Sequence, residues 1–215
     1  MNSHKFDFQD EDIMKEELEI KEKDSDSNLE LEILTGILQN DKIIVENSPT
    51  AKDLHEKNFF GLQLPNNKYE FSIIEGLLLM ERNRLKIMTL ERNPLRSDEI
   101  LNTIAQKDPQ IWIRYLVYRD LRQRGYIVRL GYGDEIHFRI FSRGANPQTD
   151  IAKYFIFILE EDNAVRLDLL DKITKQSVNS RKILILATVD RLGDITYYQL
   201  EQFQLSINKN KLKNW

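Results

Sequence analysis

The stretch Tyr115–Tyr132, YLVYRDLRQRGYIVRLGY, changes its periodicity at one glycine. Before Gly125, the apolar residues Ile113, Leu116, Val117 and Leu121 fall on one helical face, while Arg114, Arg119, Arg122 and Arg124 point elsewhere. Beyond it, YIVRLGY reads as a strand. Upstream, Asp108-Pro109 supplies an N-cap carboxylate and a proline pre-set for the first helical position, with Gly125 as the stop. A second domain is therefore predicted to start at residue 108. After YIVRLGY come HFRIF, KYFIFILE, KILILATV and ITYYQL, interrupted by one helical segment, VRLDLLDKITKQS. The layout is α+β, with a mixed or antiparallel sheet and helices expected to one side of it.

Upstream of residue 108, LEILTGILQNDKIIVENSPTAKDLHEKNFFGLQLPNNKYEF reads as short strands broken by Gly36, Asn40-Asp41, Gly61 and Pro65-Asn-Asn. Ser72-Ile-Ile-Glu75 has capping-box spacing and opens a helix carrying Leu77, Leu78 and Met80. LKIM reads as a strand, and Ser97-Asp-Glu opens a short helix ending near Ala105. The expected divisions are an acidic, disordered arm over 1–29, a small β-rich domain with helices over 30–107, a mixed-sheet domain over 108–203 and a basic tail over 204–215.

The chain has 215 residues, enough for one large or two small cores, and no cysteine. Disulfides and thiolate chemistry are thereby excluded, and an intracellular, reducing, cytoplasmic setting is expected. No apolar run approaches the ~20 residues of a membrane span, and no membrane partner is expected. Of the net charge of −4, residues 1–30 carry −7, from eleven acidic and four basic side chains, so the other 185 are at +3. A mildly basic body permits RNA binding without specifying it.

P-loop, dinucleotide, HExxH and GxSxG motifs are all absent, so no cofactor is expected. His4, His55 and His137 are not at metal-ligand spacing. A period of two sets His137 on one strand face with Arg139 and Phe141, where a partly exposed surface histidine is the plainer reading beside an RNA contact. The arginines of RYLVYRDLRQRG suit phosphate, yet equally suit a solvated helix face.

Taken together, YLVYRDLRQRGYIVRLGY, HFRIFSRGANP, KYFIFILEED and SVNSRKILILATVDRLGDITYY resemble, in order and interval, the catalytic domain of the archaeal tRNA-splicing endonuclease family. GILQNDKIIV, LHEKNFFG and FSIIEGLLLMERNRLKI resemble its amino-terminal domain, so the resemblance covers about Leu31 to Leu200. It implies metal-independent cutting of pre-tRNA at bulge-helix-bulge junctions, by a 2′-hydroxyl and with a 2′,3′-cyclic phosphate product. That chemistry needs a base, an acid and a cation, which in the family are a tyrosine, a histidine and a lysine. The tyrosine position holds Phe141, and the histidine position falls at Ile151 by gapless counting. The lysine position holds Lys182. Each missing proton-transfer group costs ~10²- to 10⁴-fold. Neighbouring Asp150, an exposed carboxylate, is a poor substitute acid.

The resemblance also implies assembly. VDRLGD matches an acidic docking loop, keeping Asp190, Gly193 and Asp194 but carrying Leu192 where a middle acid is expected. A plain polar hairpin turn is the competing reading. ITYYQL, with Ile195, Tyr197 and Tyr198, would be a subunit-pairing strand, or else an internal one. The expectation is thus a structural, non-catalytic subunit in an α2β2 heterotetramer with a catalytic sister chain, acting on pre-tRNA. An active endonuclease with displaced residues and a solitary RNA-binding protein are the alternatives.

Overall fold

The computed structural model describes residues 32–132 and 135–201. The arm at 1–29 and the tail at 204–215 lie outside the described residues.

The first half begins with a hairpin, β1 (Leu34–Gln39) and β2 (Lys42–Val45). Its two-residue turn puts both Asn40 (φ 50°) and Asp41 (φ 59°) in the left-handed region, as a hairpin turn matched to strand twist requires. Helix α1 (Pro49–Glu56) follows, within a stretch expected to be strands and turns. Its start is nonetheless encoded: the Ser48 hydroxyl accepts the Ala51 N–H at 3.1 Å, and Pro49 takes the first helical position. Then come β3 (Leu62–Gln63), β4 (Tyr69–Ser72), α2 (Ile73–Glu81), β5 (Leu85–Met88), β6 (Pro94–Leu95) and α3 (Ser97–Ala105). The Ser72–Glu75 capping box forms as predicted, with the Ser72 N–H donating to Glu75 at 2.8 Å. Glu75 also accepts the Gly61 N–H at 2.9 Å, tying the start of α2 to the β3 loop.

The second half contains α4 (Ile111–Gln123), β7 (Ile127–Tyr132), β8 (Ile136–Phe141), β9 (Tyr154–Glu160), α5 (Leu167–Asn179), β10 (Ile183–Val189) and β11 (Ile195–Leu200). All five expected strands and the intervening helix are present. The start of α4 differs from expectation: Gln110 takes the cap position, without a side-chain cap bond. The Asp108 carboxylate is drawn instead into an ion pair with Arg114, and its carbonyl accepts the Ile111 N–H at 3.1 Å. Gly125 ends the helix as expected, at φ +80°, with the Tyr126 N–H reaching back to the Leu121 carbonyl at 3.1 Å.

Strand order is β3-β4-β2-β1-β5-β6 in the first sheet and β11-β10-β9-β8-β7 in the second. The first sheet is bounded by two-residue strands, the second by six-residue strands. In the second, β9 and β10 run parallel and the other pairs antiparallel, so α5 is the crossover between them. Helices cover both faces, which corrects the one-sided expectation. Tyr118, Leu121 and Val117 of α4 pack with Phe138, Ile140, Ile156 and Ile185, whereas Ile173 of α5 packs on Phe155, Phe157 and Leu184. A parallel pair requires a crossover, and here the crossover takes the face opposite α4. The α4 cluster runs without interruption into Ile43, Phe71, Leu78 and Ile87 of the first half, so the two sheets share one core.

Two local features fix the β7–β8–β9 junction. A Cβ on Gly131 would lie 1.6 Å from the Ile136 carbonyl oxygen, so only glycine permits that approach. Where the β8–β9 register runs out after Phe138↔Ile156, the Nδ1 of His137 accepts the Ile158 N–H at 3.0 Å. An imidazole thus stands in for a strand carbonyl. His137→Leu keeps the bulk and removes the acceptor, and is expected to lower stability by about 1–3 kcal/mol, read by chemical denaturation.

Candidate functional site

One end of the second sheet gathers the three positions singled out from sequence. The Lys153 N–H donates to the Ile140 carbonyl at 2.8 Å, and the Lys153 carbonyl accepts the Ile183 N–H at 3.1 Å. The end of β8 and the starts of β9 and β10 therefore lie side by side, with Phe141, Ile151 and Lys182 around them. Phe141 alternates with Ile140, and Lys182 with Ile183, so both belong to the α5 side of the sheet.

Chemically the three differ sharply. Phe141 is 4% exposed and packs with Ile127 and Ala152 against Phe59 and Ala145. Its ring is a wedge in an apolar cluster. Ile151 is 78% exposed and presents only hydrocarbon to solvent. Lys182 is half-buried beside the end of α5, lining a shallow cavity with Thr174, Ser177, Gln199 and Glu201. Its ammonium has no ion-pair partner among the described residues. Asp150 is occupied in the loop, its carboxylate accepting the Asn146 N–H at 2.8 Å while its own N–H meets the Asn146 carbonyl at 2.7 Å. Among the described residues no group of three or more histidine or carboxylate side chains could hold a metal ion.

The arginines of α4 face inward, not outward. Arg122 donates to the Asn58 carbonyl at 2.8 Å and lies over the Phe60 ring at 4.2 Å. Arg114 pairs with Asp108, Arg119 with Glu81 (3.8 Å) and Arg124 with Asp120 (2.9 Å). Arg129 of β7 reaches the Gly61 carbonyl at 2.7 Å. Arg119, Arg122 and Arg129 thereby join the two halves of the chain, whereas Arg114 and Arg124 pair within the second. Sequence periodicity separates an apolar face from a polar one, but it does not say that the polar face meets another lobe.

In the turn from β10 to β11, Asp190 works within the chain. Its carboxylate accepts the N–H groups of Leu192 and Asp194, each at 2.8 Å, and its carbonyl accepts the Gly193 N–H at 3.1 Å. Gly193 takes φ +87°, and Arg191 pairs with Asp162 at 2.5 Å. Leu192 stands at the tip, 88% exposed. The Asp194 carboxylate has no hydrogen-bond partner among the described residues. β11 is an edge strand, with Ile195 and Tyr198 half-buried. Tyr197 turns inward and donates to Asp120 at 2.6 Å. Burial, reinforced by Asp120, pushes the Tyr197 phenol far above its usual range. The Asp120–Tyr197 bond spans a sequence distance that no local pattern reports.

A two-lobed α+β protein with a sheet-end rim is thus defined by its geometry, and sequence comparison specifies which kind. The chain belongs to the tRNA intron endonuclease family: residues 111–197 match its catalytic C-terminal domain and residues 34–101 its N-terminal domain. The tRNA-splicing endonuclease of Methanothermobacter thermautotrophicus is 29% identical over 166 residues, 77% of this chain and 95% of the relative. That of Thermococcus onnurineus is 30% identical over 164 residues, 76% and 93% of the two chains. That of Methanosarcina acetivorans is 29% identical over 164 residues, 76% of this chain but 45% of the relative.

The loop geometry separates two acids of similar appearance in sequence. Asp190→Ala removes the acceptor of two N–H groups and is expected to speed amide hydrogen exchange at Leu192 and Asp194. Asp194→Ala is expected to leave that protection unchanged.

Proposed function

We propose that this chain is the non-catalytic subunit of a tRNA-splicing endonuclease, working with a catalytic sister chain in an α2β2 assembly on pre-tRNA. The observation that carries the reading is the rim itself: a buried phenyl ring and an exposed sec-butyl side chain occupy two of its three positions, beside one lysine. Intramolecular attack of a 2′-hydroxyl on the adjacent phosphodiester needs the hydroxyl proton removed, the leaving 5′-oxygen protonated and the pentacoordinate charge countered. Lys182 can serve only the last of these. The side chains of Phe141 and Ile151 carry no exchangeable proton.

The phenols of α4 do not supply a base. Burial pushes those of Tyr115 and Tyr118 upward, with Glu81 adding to the first and Glu75 to the second. A phenol raised in this way stays protonated at neutral pH and is held in the lobe junction. The contribution left to the chain is architectural: to complete the assembly through the β11 edge and the Asp190–Asp194 turn, and to keep the RNA in register for its partner. The Methanosarcina relative, more than twice as long as the segment it shares with this chain, is consistent with family members needing more than one such unit.

The test is cleavage of a bulge-helix-bulge RNA by this chain alone, by a catalytic paralogue alone and by the two co-purified. The expected outcome is cutting only by the mixture, with a stable complex on a sizing column. The chain alone should be slower by at least ~10²-fold, the least that one lost proton-transfer group costs. Cutting by the chain alone would sink the reading.

A further inference from the structure

The helices of the first half contribute Leu54, Leu78 and Ile100 to the shared core, together with Ile43, Phe71 and Ile87 of its sheet. The opposite face of that sheet carries the alternate residues. Across it, Glu70 pairs with Ile44, Ile44 with Ile37 and Ile37 with Met88, so three apolar side chains stand side by side on β2, β1 and β5. A solvated sheet face ordinarily turns polar residues outward. Here its middle is hydrocarbon. Ile37, Ile44 and Met88 are half-buried and join none of the buried clusters of the described residues. Ile33, just before β1, is 43% exposed.

The charges around this row are short of acids. Lys86, opposite Thr35 on the same face, is exposed and makes no ion pair among the described residues. Lys42 is paired with Glu70 at 3.4 Å. Arg84, whose carbonyl accepts the Leu34 N–H at 3.0 Å, has a buried Nε with no acceptor among the described residues. The chain that enters β1 at this point is the acidic arm, at −7 over residues 1–30. Most of its apolar residues come as close pairs set among acids: Phe6 and Phe8, Ile13 and Met14, Leu18 and Ile20. Alone, a segment with more charges than apolar side chains buries too little to order itself. Residues 24–28, DSDSN, offer turn formers between these pairs and the strand. The nine steps from Lys23 to Glu32 span up to ~30 Å, whereas the row from β4 to β5 crosses only ~14 Å.

We propose that residues 6–20 of this chain dock on the outer face of its own first sheet, with their apolar pairs over Ile44, Ile37 and Met88 and their carboxylates toward Lys86 and Arg84. Each side supplies what the other lacks. The sheet offers an ordered apolar row with surplus cations, and the arm offers hydrocarbon set among acids. A second copy of the same face would bring no spare acid to Lys86 or Arg84, because Glu70 is already paired with Lys42. Neither the rim nor its missing proton-transfer groups enter into this contact.

The chain has no cysteine, so Glu19→Cys takes a single nitroxide label in the arm of the full-length protein. The measurement is paramagnetic broadening of side-chain methyl NMR signals. Those of Ile37, Ile44 and Met88 are expected to lose most of their intensity at every protein concentration, while that of Ile173, in the core of the second half, keeps its own. Leu18→Ser combined with Ile20→Ser in the labelled arm should restore the three signals, and Lys86→Glu should restore them in part. Mixing nitroxide-labelled chain with isotope-labelled chain that carries no nitroxide should leave the signals intact. Broadening confined to the mixed sample would give the face to a second copy, and its absence from both samples would leave the arm without a seat there. Either result overturns the assignment, as does broadening that survives the double serine variant.

Discussion

The described residues are arranged around one helix that meets both sheets, with Trp112 and Gln123 left on its exposed side. α4 buries Ile111, Tyr115, Leu116, Val117, Tyr118 and Leu121, and several of its polar residues are bonded as well. Tyr115 bonds to Glu81 in α2, Arg122 holds the loop before β3, and Asp120 receives the Tyr197 hydroxyl from β11. A helix in that position cannot shift without breaking contacts to both sheets at once. Because its cluster is continuous across the halves, the boundary near residue 108 is a seam inside a core and not a hinge.

The second constraint is the parallel pairing of β9 with β10. Antiparallel strands alternate their ends, whereas a parallel pair brings two strand starts together, with the loop after β8 arriving at the same edge. That arrangement, more than any individual side chain, creates the rim. Conserving a rim needs only backbone topology, while chemistry needs particular atoms on it. In this chain the topology is complete, and the side chains at two of the rim positions are hydrocarbon.

Elements carrying a local signal were legible in the sequence. Alternation exposes the strands of the second sheet, Ser72 and Glu75 mark a helix start, and Gly125 marks a helix end. Helix α1 shows how such a signal is overlooked: Ser48-Pro49 is a sound start, but only Ala51, Leu54 and His55 of its eight residues are buried, too few to make a periodic face. The row Ile44–Ile37–Met88 was less accessible, because it appears only once two registers are known. The role of His137 was hidden for a related reason, since a histidine that replaces a carbonyl in a ladder looks like any surface strand residue until its partner is seen. The bonds that Asp190 makes within its own turn were not legible either, because they depend on the turn's backbone geometry.

The strand lengths at the sheet margins have a further consequence. β3 and β6 leave two residues each as a template at the borders of the first sheet, while β7 and β11 leave six each at the borders of the second. Unpaired N–H and C=O groups in such a row recruit any extended chain, not only the right one. Colloidal behaviour should therefore be polarised along the molecule. The first half is blunted against adventitious β-stacking, and the second carries the segments that gatekeeping charges must protect during synthesis.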